Sequence, residues 1–210
     1  MPPKKRSVAA PDSRERLLHA AIEAFATFGY DGTSLRDIAE RAGVGFQLIG
    51  YHFGSKEDLW LAAVQDAYDY FATFTTSVRF DPAGDTAAQF RDFLRQLIER
   101  TNEHPHLLRI FVQEGLAGSV RYRKVLRPML KKFYETLTMP MQREAVRLGA
   151  IRGLIAEESH FLLGCVVLAN LVQPFHVEFF VGERAGSAAY LERQVELLSR
   201  LLTTTRDSVT

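Results

Sequence analysis

Three helix starts separated by glycine breaks crowd into residues 33–59, TSLRDIAERAGVGFQLIGYHFGSKEDL, and that spacing leaves the region little choice of fold. Thr33 or Ser34 can cap the first helix, with Asp37 in the first turn, where unpaired amides favour a carboxylate. Leu35, Ile38, Ala39 and Ala42 fall at i, i+3, i+4 and i+7, a single apolar stripe. Gly43 can take a positive φ and turn the chain sharply. A second short helix is predicted over Gly45–His52, and it carries no full charge. Ser55 caps a third, with Glu57 and Asp58 suited to its first turn. Two such helices around a glycine turn read as helix-turn-helix, in which the first braces the second against the major groove.

The run Thr33, Ile38-Ala39, Ala42-Gly43-Val44 and Tyr51-His52-Phe53-Gly54-Ser55-Lys56-Glu57-Asp58-Leu59 resembles the DNA-binding domain of the TetR/AcrR family of bacterial transcriptional regulators. Upstream, Arg14, Leu17, Leu18, Ala20, Ala21, Phe25, Gly29 and Gly32 match its first helix and the loop after it. The resemblance is specific over about residues 12–60. It implies an all-α chain: an N-terminal three-helix helix-turn-helix domain, then a C-terminal helical domain for ligand binding and dimerisation. The expected divisions are a disordered basic arm (1–11), a DNA-binding domain (12–58) and a regulatory and dimerisation domain (59–210).

On the reading helix, Gln47 has the bidentate amide that suits adenine in the major groove, and Phe46 and Leu48 can meet a thymine methyl. The resemblance assigns Tyr51, His52 and Lys56 to DNA contacts, mainly phosphates. Thr33 and Ser34 can offer hydroxyls and amides at a helix N-terminus, and Arg36 and Arg14 are backbone candidates. Two positions depart from the common family pattern. Gly50 stands where an aromatic residue is frequent, and Gln47 where a small one is. Packing under the reading helix is the alternative role for Tyr51 and the preferred one for Phe53.

The whole chain of 210 residues carries a net charge of only +1, so charge alone names no nucleic-acid partner. A single cysteine, Cys165, excludes an intramolecular disulfide and fits a reducing cytoplasm. No apolar run is long enough to span a bilayer. The expected setting is cytoplasmic, without membrane attachment. The arm MPPKKRSVAAP can either reach phosphates or remain a solvated tail.

Downstream, helical patterns follow one another. Asp12 or Ser13 opens a helix to Phe28. The Ser55 helix runs on through Trp60, Ala67 and Phe74 and links the two domains. Later helices are predicted from Asp85 to His104, from Pro105 to Gly118, over 120–148 with a kink at Pro128 or Pro140, over 157–181, and over 188–202 with Leu191, Val195, Leu198 and Leu201 inward. The basic residues between Arg121 and Lys132 read as a solvated face.

The 157–181 segment is apolar on more than one face, which predicts an isologous contact with a second copy of the chain. The resemblance implies that the last two helices of each subunit make this homodimer contact, which sets two reading helices on one operator duplex. The resemblance further implies a pocket for a small apolar or amphipathic ligand. Its candidate lining is Phe90, Phe93, Phe111, Met129, Phe133 and Phe161, with Gln113, Glu114, His160 and Asn170 as polar groups; for each aromatic taken singly, filling a core is the preferred role. No catalytic constellation accompanies these. His104-Pro105-His106 lacks metal-pair spacing, no glycine-rich phosphate loop occurs, and Cys165 lies in an apolar run. Neither enzymatic activity nor a cofactor or metal is expected. The functional expectation is a repressor released from DNA by a ligand; the alternative is a dimeric regulator without an inducer.

Overall fold

The computed structural model describes residues 12–172, 179, 182, 184 and 186–203, and every regular element among them is helical. The basic arm of residues 1–11, residues 173–178 and 180–181 of the apolar segment, and the side chain of Asn170 lie outside the described residues. Two compact units divide between Asp66 and Ala67.

In the first unit, α1 (Ser13–Gly32) is capped by Asp12, whose carboxylate accepts from the Glu15 amide at 2.8 Å. Leu17, Ala21, Ile22 and Phe25 form its buried stripe. The helix runs past the expected end at Phe28 by kinking at Gly29, where φ is +69° and glycine avoids the Cβ penalty. Helix α2 (Leu35–Arg41) buries Ile38 and Ala39, and the chain then turns through Gly43 at φ +63°. Helix α3 (Gln47–His52) begins two residues later than predicted, with Phe46 at its N-cap position making no side-chain cap bond. Helix α4 (Lys56–Ser77) starts at Ser55, whose hydroxyl accepts from the Asp58 amide at 3.1 Å.

In the second unit, α5 (Thr86–Glu103) is capped by Asp85 through two amides, and Pro105 occupies the first turn of α6 (Pro105–Ala117), where a missing N–H costs nothing. Residues 120–147 form one long helix, α7, which carries two π-helical turns, Tyr122–Leu126 and Tyr134–Thr138, ahead of the two prolines. The cause is steric. Pro128 and Pro140 would clash with the carbonyls of Lys124 and Thr136, four residues back, and each of those carbonyls lies within a widened turn.

Helices α8 (Ala156–Val172) and α9 (Ala188–Thr203) follow. The core joins Phe74, Phe90, Phe93, Leu94 and Ile98 to Ala145, Ile151, Leu163, Val195, Leu198 and Leu202. Helix α9 packs along α5, and Arg95 and Glu192 pair at the rim. Leu201, expected inside, is exposed, and Leu202 fills the core instead. A fourth inward turn at residue 202 rather than 201 follows the 3.6-residue period from Val195 and Leu198.

Candidate functional site

Two surfaces bear on function, one in each unit. In the first, Ile49 is the one fully buried side chain of α3. Phe46, Gln47 and Gly50 are exposed, Leu48 is half-buried, and Tyr51 is 81% exposed. A Cβ built on Gly50 meets nothing within 4 Å, so this glycine is not there for lack of space. His52 is tied down: its Nε2 lies 2.8 Å from the Ser13 hydroxyl, which fastens the end of α3 to the start of α1. Phe53 is half-buried beneath the Arg14 guanidinium, 5.2 Å from its ring centroid.

Around this helix, Ser34 caps α2 by accepting from the Arg36 amide at 3.2 Å, and both residues are exposed at the surface. Thr33 differs from its neighbour. It is buried, and its hydroxyl lies 2.6 Å from the Gly29 carbonyl and 3.2 Å from that of Ala24, closing the kinked end of α1. That hydroxyl is turned into the fold, toward α1. Lys56 holds its ammonium 4.5 Å above the Tyr30 ring, in the first turn of α4. A cation there opposes the helix dipole, so helix stability does not account for its position.

The second unit contains a cavity of about 190 Å³. Tyr68, Phe71 and Phe74 of α4, Phe93 of α5, Phe111 of α6 and Phe133 of α7 give it six aromatic walls. Its polar side is a short relay. Ser159 donates to Gln142 Oε1, and Gln142 Nε2 lies 3.1 Å from His160 Nδ1. Gln142 and Ser159 are both buried. Tyr134 meets the imidazole edge-on, with centroids 4.7 Å apart. Burial alone pushes the His160 pKa below its ordinary value, which favours the neutral ring.

That shift predicts a pH effect. A histidine neutral in the fold but basic when unfolded contributes fully above its unfolded value of about 6.5, and the contribution is lost as pH falls from there through the folded value. Urea unfolding between about pH 5 and about pH 7, which brackets that unfolded value, should show stability falling with acid. His160→Phe should flatten that slope; an unchanged slope would assign the effect to another group.

The family model described as bacterial regulatory proteins, tetR family, matches residues 17–63. The HTH-type transcriptional regulator RutR of Escherichia coli (strain K12) is 30% identical over 207 residues, covering 98% of this chain and 86% of that one. The chain belongs to the tetR family of bacterial regulatory proteins. Solved structures agree on the fold. The TetR family transcriptional regulator PfmR from Thermus thermophilus matches with a TM-score of 0.62 at 22% identity, over 92% of this chain and 98% of that one. The transcriptional regulator FadR from Bacillus subtilis, solved in complex with stearoyl-CoA, matches with 0.64 at 16% identity, over 89% and 98%.

As a member of the tetR family, the protein is a DNA-binding transcriptional regulator with a helix-turn-helix domain. Among the described residues no helix is long and apolar enough to cross a membrane. Of the candidate pocket residues, Phe93, Phe111, Phe133 and His160 line the cavity together. The other five described candidates do not line it, and Phe90 lies wholly in the core. Phe161 is 69% exposed, Gln113 is exposed, and Met129 lies elsewhere on α7. Glu114 is buried against Arg121, 3.3 Å away, and also accepts from Ser119, so its carboxylate serves the α6–α7 junction. Gln142 and Ser159 were not among the sequence candidates. The available signal for Gln142 was an amide set three residues from both Met139 and Ala145, in an otherwise apolar stripe.

Proposed function

We propose that this tetR-family regulator is a dimeric repressor that leaves operator DNA when a small molecule fills the second unit. The observation that carries this reading is the span of α4. Its first residues follow the reading helix and include Lys56, while its last turns supply Tyr68, Phe71, Phe74 and Thr75 to the cavity wall. A ligand pressing on those rings would bias the same helix that supports the DNA-reading unit. The stearoyl-CoA complex of the similarly folded FadR lends support to a ligand-responsive C-terminal unit. In this reading residues 12–58 bind DNA and 59–210 regulate and dimerise.

The dimer has support of its own. Phe161 on α8 and both Leu197 and Leu201 on α9 are exposed apolar side chains on the last two helices, with Cys165 exposed one turn beyond Phe161. Such side chains at helical spacing suit an isologous contact.

On DNA, Gln47, Phe46 and Leu48 read bases, and Tyr51, Lys56, Ser34 and Arg36 hold phosphates. His52 acts by fixing α3 through Ser13, and Thr33 by closing α1. The test is footprinting on the neighbouring promoter, followed by titrations on a randomised inverted repeat. Lys56→Ala should weaken binding to every sequence and flatten the salt slope by about one unit. Gln47→Ala should instead relax preference at one base pair per half-site, by about 1–3 kcal/mol. Equal loss for both variants on all sequences would remove Gln47 from the base readers. A metabolite screen by melting temperature, with operator release as the second readout, separates the ligand-released repressor from a regulator without an inducer.

A further inference from the structure

We infer that the cavity selects an uncharged, single-ring ligand whose one hydrogen-bond acceptor meets His160; this rests on the ligand-responsive reading above and names its chemistry. Size comes first. A cavity of about 190 Å³ is slightly larger than an engineered cavity of on the order of 150 Å³ that takes up benzene. One ring with a small substituent fits, and the six aromatic walls favour that ring being aromatic through edge and offset contacts.

Charge decides the next point. No Lys, Arg, Asp or Glu is among the described residues that line the cavity. An ionised ligand would therefore give up water against that wall with no counter-charge, which weakens its binding.

The polar group is fixed by the relay. The Ser159 hydroxyl lies within reach of both Gln142 Oε1 and the Ala156 carbonyl; with its proton directed at Oε1, the Gln142 amide nitrogen faces His160 and donates to Nδ1. A neutral imidazole that accepts at Nδ1 carries its proton on Nε2. That N–H is a donor in an apolar wall, positioned by two buried side chains behind it. A carbonyl oxygen is its complement, and a ligand without one leaves it unpaired.

Acetophenone, benzoate and ethylbenzene share one outline and differ in these respects. Calorimetric titration of the full-length protein should find acetophenone binding at least about tenfold tighter than benzoate, since one unpaired buried charge outweighs about 1.4 kcal/mol. In His160→Phe the ratio of acetophenone to ethylbenzene affinity should fall about tenfold, because the ring shape stays and the donor goes. The ratio is taken within one variant, so a change in stability cancels. Gly164 lines the cavity, and a Cβ there meets nothing within 4 Å; Gly164→Leu should fill the space and abolish uptake of acetophenone and ethylbenzene. Benzoate binding as tightly as acetophenone, an unchanged ratio in His160→Phe, or full uptake by Gly164→Leu would each overturn the inference. So would silence from all three compounds, whereas the ligand-responsive reading falls only if the metabolite screen is silent as well.

Discussion

Ile49→Ala should destabilise the first unit by about 2–5 kcal/mol and abolish DNA binding at every salt concentration. Helix α3 has six residues, too few for an isolated helix to persist in water. Its position depends on tertiary attachment, and Ile49 is its one buried side chain. The Ser13–His52 hydrogen bond holds only the far end. Truncating Ile49 removes the apolar anchor and leaves a void, and both effects act against the fold. Urea unfolding followed by circular dichroism gives the stability loss, and a gel-shift series from low to high salt gives the binding loss. Tyr51→Ala is the matched control: a residue so exposed should change stability by less than about 0.5 kcal/mol. A stability loss below about 1 kcal/mol for Ile49→Ala would mean that another contact fixes α3.

Phe93→Ala should cost the second unit about 3–5 kcal/mol. Phe93 stacks on Phe74 with centroids 5.8 Å apart and nearly parallel planes, and meets Phe90 at the same separation. It is buried in the core and also lines the cavity. One ring thus belongs to both, and its removal should merge a core void with the existing space. The checkable sign is ligand-linked rescue. Two-ring neutral compounds too large for the native cavity should raise the melting temperature of Phe93→Ala and leave the native protein unmoved. Equal response from both proteins would place Phe93 in the core alone.

The helix-turn-helix was legible because its signals are local. Ser34, Gly43 and Ser55 act on backbone groups within a few residues, so capping and turn chemistry identify them without the rest of the fold. Thr33 was harder. Serine and threonine side by side can both cap α2, and only the return of the chain past Ala24 gives the Thr33 hydroxyl another role. The cavity was half legible for a related reason. Phe93 and Phe161 look alike in composition, but one faces the interior and the other does not, and that depends on how each helix is rotated in its packing. The two π-turns in α7 hid a further step, since each adds a residue to the repeat by which faces are counted. Glu114 was misplaced because its partner, Arg121, lies beyond the glycine that ends α6.

Trp60 is the only tryptophan of the chain. Its ring is fully enclosed, edge-on to Tyr30 at 6.1 Å, and its indole nitrogen has no hydrogen-bond partner. An indole kept dry and without a bonded nitrogen emits toward the blue. Because no second fluorophore of its kind competes, the unlabelled protein carries an optical probe at one known point, one turn after Lys56. Any red shift on adding operator or effector is therefore a local report that water has reached the opening turns of α4.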